Sequence, residues 1–348
     1  MTQTQTATQQ TSSRLTFNDF LVNNSARIDA LVAGYYKRSR RKDLERYLYQ
    51  PLASYSANGG KRHRPLLCEL GCVAVGGDAT LCASAAAAIE HFHTAALIHD
   101  DIADESTLRR GSPCLHISQG EGLAINAGDL ALSQVTGSVL ADEQLPDQLR
   151  LKILQELVEM TTRTIEGQAL DIGWARDGRF DLSIDDYLEM ATLKTAYYSG
   201  GTPLALGALI GGGSSNEVEA LRAFGMSCGL AFQIQDDLLN LTGSQASIKK
   251  DFRSDITEGK RTLIVVHAIK HSPHSAELIA ILASHTTTPT MLAGAVEIMQ
   301  DANSLDFART YAAGLAAAAK SALVAQIHDN SARALLLSLA DYVIERPG

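Results

Sequence analysis

The 348-residue chain is poor in aromatic side chains (5%), with a single tryptophan, and it holds only eight prolines. Strands favour aromatic and β-branched residues, so this scarcity argues against a β-rich fold. Cysteine is also sparse and odd in number: Cys68, Cys72, Cys82, Cys114 and Cys228 fit neither a zinc pattern nor a disulfide framework. Cys68 and Cys72 therefore read as small core residues, and a reducing cytoplasm is the expected compartment. Positive charge is short, with 30 Lys and Arg against 39 Asp and Glu, a net charge of −9. That excludes a bulk electrostatic grip on nucleic acid and disfavours anionic membranes. The apolar stretch around residues 203–213 is too short and glycine-rich for an integral membrane segment. Residues 1–13 hold five Thr, four Gln and no apolar run, so no signal peptide is read there.

What is plentiful is alanine, 49 residues of it, the strongest helix former. With 45% hydrophobic and 20% charged residues, the chain is expected to be soluble, all-α and able to build a large core. Residues 1–14 read as a disordered tail, and 15–348 as one domain without internal repeats. Helical periodicity is expected over 18–36, 42–57, 62–76, 78–104, 119–138, 145–174 and 183–199. A capping box of Ser214 and Glu217 starts another helix running to about Leu241. Residues 108–113 and 243–260 read as loops, and further helices near 261–271, 274–284, 289–301, 304–326 and 329–345 finish the chain.

Two acidic clusters stand in apolar helices. Asp100, Asp101 and Asp104 form a DDxxD run, and Asp236, Asp237 and Asn240 repeat the layout with Asn in the last place. Residues four apart share a helix face, where like charges repel unless a cation bridges them. Oxygen-only ligands without His or Cys favour Mg²⁺, which binds through one or two carboxylates together with substrate phosphates. Alone, either cluster reads equally well as a solvated acidic face. Two of them in apolar helices point to a metal.

Basic residues answer the acidic ones. Lys61 and Arg64 lie in a glycine-led segment, GGKRHRP, that opens a helix, a favourable place for an anion. Arg109 and Arg110 follow the first cluster. Lys194 with Thr195, Lys260 and His93 complete the set. Each has a bland alternative as cap, salt bridge, snorkelling lysine or core histidine. Together they describe a helical cavity with two Mg²⁺-binding walls and a ring of cations, a site for diphosphates.

These residues resemble the trans-isoprenyl diphosphate synthases, or polyprenyl synthetases, of the geranylgeranyl type. The motifs run in order: GGKRHRP at 59–65, HTAALIHDDIADESTLRRG at 93–111, GD at 128–129, GQALD at 167–171, KT at 194–195, AFQIQDDLLN at 231–240 and DITEGKRT at 255–262. The resemblance implies a homodimer of all-α bundles, the isoprenoid synthase fold, with long antiparallel helices around a deep central cavity. It implies Mg²⁺, three ions with substrate bound, held through Asp100, Asp101, Asp104 and Asp236, with Asp237 beside them. Arg109, Lys194, Thr195, Gln233 and Lys260 match positions that hold an allylic diphosphate, and Lys61, Arg64, His93 and Arg110 match an isopentenyl diphosphate pocket. The implied reaction is ionisation of the allylic diphosphate, condensation and proton loss. Asn240 departs from the usual third Asp and brings no charge to the second wall.

Cavity depth is expected to set product length. Ala95 and Ala96 lie five and four residues before Asp100 and leave the first level open, where farnesyl-type enzymes carry an aromatic. One turn deeper lie His91 and Phe92, and Phe92 is the natural floor. This predicts a C20 product, with C15 or C25 and longer as alternatives. Ala95→Phe is expected to shorten the product and Phe92→Ala to lengthen it. A terpene cyclase has no use for GGKRHRP. A non-catalytic regulatory subunit should have lost motif carboxylates, of which five of six remain.

Overall fold

Helix boundaries follow the local chemistry. Thr16 and Asp19 cap the Phe17–Tyr35 helix reciprocally, Ser183 and Asp186 cap Ile184–Ala191, and Ser214 and Glu217 cap Ser215–Thr242. In each, a hydroxyl and a carboxylate satisfy backbone N–H groups that lack an intrahelical partner. The computed structural model describes residues 15–243 and 253–345, so the expected tail at 1–14 lies outside it, as do residues 244–252 of the expected 243–260 loop. Within the described part of that loop, Ser254–Thr257 is a short helix.

The architecture is all-α, as the composition implies. The Ala83–Ala103 helix runs through the centre, with Ala85, Ala86, Ala87 and Ala88 fully buried. It packs along Glu121–Leu140, while Ser215–Thr242 packs against Ser304–Gln326 and the Thr192–Gly201 segment. Small residues set these distances. A Cβ on Gly200 would strike the Gly225 backbone, and one on Gly225 would strike Gly200. The alanine-rich Ser304–Gln326 helix buries Ala308, Ala312, Ala316 and Ala319, so its stripe serves packing within the chain. All five cysteines are free and buried. Residues Ala79–Ala103 are long and apolar enough to cross a membrane, but 78% of their apolar window is buried inside the protein, as befits a core helix.

Two departures from the expected elements bear on the site. The expected loop at 108–113 is a small hairpin pairing Leu108 with Pro113 and Arg109 with Ser112. Its two-residue turn, Arg110 and Gly111, has φ of 53° and 80°, the left-handed pair that matches strand twist. The helical run after Ile184–Ala191 widens to π geometry over Thr192–Gly201, which carries Lys194 and Thr195. Such widenings often mark functional positions.

His91 is buried without a hydrogen-bond partner for either ring nitrogen, and its ring packs edge-on against Tyr36 at 4.6 Å. Burial lowers its pKa to about 4. The unfolded chain therefore binds a proton more tightly than the folded one, and stability is lost as pH falls from about 6.5 toward 4. A buried polar group without a partner costs about 1–3 kcal/mol. His91→Leu should stabilise the protein by about 1–2 kcal/mol at neutral pH and flatten that acid limb, as denaturant titrations at pH 7 and 5 would show. Equal loss of stability with pH in both proteins would contradict this.

Candidate active site

The central cavity, about 910 Å³, lies between the C-terminal end of Ala83–Ala103 and that of Ser215–Thr242. This is near the upper end for small-ligand sites. Asp100, Asp236, Asp237, Asn240, Arg109, Arg110, Lys194, Thr195, Gln233, Lys260 and His93 all line it, together with Phe92 and Ala96. Leu132 and Ile165 add apolar wall. Lys61, Arg64, Asp101, Asp104, Ala95 and His91 are not among the lining residues.

Helical geometry explains the split. Successive residues on a helix point about 100° apart, so adjacent aspartates cannot share a direction. Asp100 faces the cavity, where its Oδ1 accepts from Gln168 Nε2 at 3.0 Å. Asp101 turns away and is fully buried, accepting 2.6 Å and 2.7 Å bonds from the Tyr55 hydroxyl and Arg109 Nε. The expectation that Asp101 faces a metal like its neighbours is thus not what this geometry presents. Its carboxylate is already satisfied by protein donors. Asp104, mostly buried, lies 3.5 Å from Lys260 Nζ. The same logic separates Ala96 and Phe92, on the cavity side, from Ala95 and His91, which pack away from it.

On the second wall Asp237 is the buried member, bonded to the Tyr187 hydroxyl at 2.8 Å and Gln233 Nε2 at 2.7 Å. Asn240 turns toward the Ser254–Thr257 helix: its Oδ1 accepts from Asp255 N at 3.3 Å and its Nδ2 donates to Ser254 Oγ at 3.2 Å. Asp255 also lines the cavity.

The cations are held by carboxylates. Lys194 pairs with Asp171. This approach depends on Gly167, because a Cβ there would meet the Lys194 backbone. Burial works against the Lys194 ammonium, but Asp171 and Asp100 outweigh it and raise its pKa. Lys260 contacts Glu258 and lies 3.8 Å from Asp255. Against burial, Asp255, Asp104 and Glu258 raise its pKa well above the ordinary lysine range. Burial, with help from Asp255, pushes Asp237 upward. His93 is neutral: burial first, then Arg64 and Arg110, push its pKa well down. The site is thus a lattice of opposed charges in which Lys194 and Lys260 stay protonated at neutral pH.

Arg110, on the hairpin turn, donates to the Gly59 carbonyl and lies against Gly60, bringing the GGKRHRP segment to the cavity edge. Arg64 donates to Tyr198 and Ser199 hydroxyls at 3.0 and 2.8 Å and stacks on the Tyr198 ring, which lines the cavity. Lys61 is exposed and donates to Tyr342 at 2.8 Å. Arg62, next to Lys61 in sequence, did not stand out by pattern. It adopts a left-handed φ of 49° and is buried between Asp29 and Glu90, anchoring the segment to the central helix. Tyr55 and Tyr187 also went unmarked, and GQALD and DITEGKRT were noticed without roles for Gln168, Asp171 and Asp255. The hydrogen-bond partners described for them lie 15 to 68 residues away in sequence, beyond any local periodicity.

A divalent ion fits the donor set. Among the described residues no three His, Cys, Asp or Glu side chains gather into one ligand cage. Asp100 on one wall and Asp236 on the other line the shared cavity beside cations. Mg²⁺ commonly binds in this way, through few protein oxygens and substrate phosphates.

Comparison with known proteins finds relatives of this chain. The polyprenyl synthetase family model matches residues 45–299. The short chain isoprenyl diphosphate synthase of Methanothermobacter thermautotrophicus is 39% identical over 83% of this chain and 87% of its own. Among solved structures, the geranylgeranyl pyrophosphate synthetase from Pyrococcus horikoshii superposes with a TM-score of 0.86 at 30% identity, covering 95% of this chain and 98% of that one. The geranylgeranyl pyrophosphate synthase from Corynebacterium glutamicum, complexed with isoprenyl diphosphate and magnesium, gives 0.81 at 30% identity, covering 95% and 96%. Two facing acidic walls, a cationic rim and an apolar depth thus occur here on a backbone shared almost end to end with such enzymes, and the chain belongs to the polyprenyl synthetase family.

Proposed function

We propose that this chain condenses isopentenyl diphosphate with an allylic diphosphate, head to tail, and releases all-trans geranylgeranyl diphosphate. The observation that carries this is the gradient along one cavity: Asp100, Asp236, Arg109, Lys194 and Lys260 at one part, and Phe92, Ala96, Leu132 and Ile165 at another. Charged donors suit a diphosphate and the apolar walls suit a growing hydrocarbon. Bound Mg²⁺, three ions in the full complex, would neutralise the departing diphosphate, with Asp100, Asp104 on the same helix face, and Asp236 as its protein ligands. Lys194, Lys260 and Arg109 stabilise the same negative charge as it develops, from fixed positions that need no reorganisation. Thr195 and Gln233, bonded to each other at 2.8 Å, present polar groups beside Lys194. Arg110 and His93 line the cavity, and with Arg64 near His93 and Lys61 in the same GGKRHRP segment they would hold the second diphosphate. No protein nucleophile is required, because the isopentenyl double bond attacks the allylic carbon.

A homodimer is the proposed assembly. Leu151, Val158, Ile165 and Ile172 recur every seven residues on Asp147–Arg176 and are 42–58% exposed. Ile165 and Ile172 also line the cavity, so a second copy seated on this stripe would shield its apolar part from water. Sedimentation velocity should show a dimer, with Val158→Asp shifting it to monomer. A monomeric wild type would refute the assembly. The free, buried cysteines suit a reducing compartment, the cytoplasm.

The function is tested by pyrophosphate release from isopentenyl diphosphate plus farnesyl diphosphate. Release should require Mg²⁺, stop with chelator and return when Mg²⁺ is restored. Release without any divalent cation would overturn the metal assignment.

A further inference from the structure

The two acidic motifs share a feature that their sequences do not display. In each, the second aspartate is buried and both of its oxygens are occupied by protein donors, Asp101 away from the cavity and Asp237 within its wall. Asp101 Oδ2 accepts from the Tyr55 hydroxyl at 2.6 Å and its Oδ1 accepts from Arg109. Asp237 Oδ2 accepts from the Tyr187 hydroxyl at 2.8 Å and its Oδ1 from Gln233 at 2.7 Å. Each arrangement is one tyrosine and one donor from the motif's own neighbourhood.

Both arrangements also close into circuits. From Asp101 the path passes to Arg109, whose carbonyl accepts from Asn58 Nδ2 at 3.2 Å, and Asn58 is the residue capping the Gln50–Ala57 helix that bears Tyr55. From Asp237 it passes to Gln233, which accepts from Thr195 Oγ1, in the helical run that begins with Tyr187's own helix. Each tyrosine thus ties an acidic motif to a diphosphate-side segment adjoining it in sequence: Tyr55 to the start of GGKRHRP, Tyr187 to Lys194 and Thr195.

We propose that Tyr55 and Tyr187 are positioning residues for the two metal-binding walls, each acting through the second aspartate to fix the direction of the first. Neighbouring helical residues are separated by a fixed rotation of about 100°, so holding Asp101 and Asp237 holds Asp100 and Asp236. Partners of this indirect kind typically change metal affinity or activity 10- to 100-fold when removed. The proposal rests on the divalent-cation reading of the walls and adds what aims them.

Tyr→Phe keeps the ring and deletes the bond. Tyr55→Phe and Tyr187→Phe would be titrated calorimetrically with inorganic pyrophosphate at fixed Mg²⁺, beside Mg²⁺-dependence of turnover. Each variant should bind Mg²⁺–pyrophosphate 10- to 100-fold more weakly than wild type. Each should need correspondingly more Mg²⁺ for half-maximal kcat, while KM for isopentenyl diphosphate stays within about threefold at saturating Mg²⁺. Combined with Asp237→Asn, Tyr187→Phe should add little, because both changes break one circuit. Wild-type affinity in both tyrosine variants, with or without loss of thermal stability, would overturn the proposal and leave the tyrosines as packing. Additive losses in the double variant would overturn it for the second wall. Should Tyr187→Phe fail to fold, half-buried Tyr55 carries the test by the same titration. A wild-type protein that binds no Mg²⁺–pyrophosphate would overturn the cation reading itself and the positioning role with it.

Discussion

Replacing Lys194 with methionine should lower kcat about a thousandfold and cost about 3–5 kcal/mol of stability. Two separate effects are involved. Lys194 is a fixed cation lining the cavity, and loss of one such preorganised group typically costs a factor of 10²–10³ in turnover. It is also the partner of Asp171, whose side chain is 8% exposed. Removing one member of a buried pair leaves the other charged without compensation. The pair can be neutralised to separate these effects. Lys194→Met combined with Asp171→Leu should recover most of the stability and none of the activity. The pH dependence gives a further check. In the wild type, burial acts to raise the Asp171 pKa, but Lys194 and Lys260 outweigh it and hold it below the ordinary carboxylate value. Asp171 therefore contributes stability above that value, which is lost as pH falls through the lowered pKa. Without Lys194 its pKa rises, so the single variant should lose stability relative to wild type as pH increases from 4 to 7. Denaturant midpoints across that range measure this. A variant with full stability and near-normal kcat would remove Lys194 from the mechanism.

Product length should change with substitutions at Ala96 and Phe92 and stay fixed with substitution at Ala95. Ala96→Phe places a ring on the cavity wall above the C20 floor and should shift the main product to C15. Phe92→Ala should release longer chains, because Phe92, held edge-on against Tyr198 at 5.5 Å, is the bulky cavity-side residue one turn deeper. Ala95 is fully buried away from the cavity, so Ala95→Phe should overpack the core by about 1–3 kcal/mol without shortening the product. Mass spectra of the products with dimethylallyl diphosphate as primer separate these cases. If Ala95→Phe alone shortens the chain, the assignment of helix faces is wrong.

The helical course was legible because its signals are local. The capping residues Ser214 and Glu217 and apolar periodicity act within a turn or two. The acidic and basic clusters were legible for the same reason. The hairpin at 108–113 was not, since two-residue strands carry no period and its turn depends on φ values at Arg110 and Gly111. Facing was the harder matter. Five-before and four-before Asp100 look alike in sequence, yet a rotation of 100° sends Ala95 to the core and Ala96 to the cavity. The same rotation takes Asp101 out of the cavity and buries Asp237 in its wall. Their tyrosine partners, 46 and 50 residues away, are set by tertiary packing alone. Arg62 escaped notice because its burial between Asp29 and Glu90 requires a left-handed backbone that a string of basic residues does not announce.

The central claim is that this one cavity performs chain elongation and stops it at twenty carbons. The most direct test incubates the purified protein with Mg²⁺, isopentenyl diphosphate and, separately, dimethylallyl, geranyl and farnesyl diphosphates, and reads product length by mass spectrometry. A dominant C20 product from all three primers is the predicted result. A ladder of longer products would preserve the chemistry and remove Phe92 as the floor. No elongation with any primer, from folded protein, would contradict the account and favour a non-catalytic subunit.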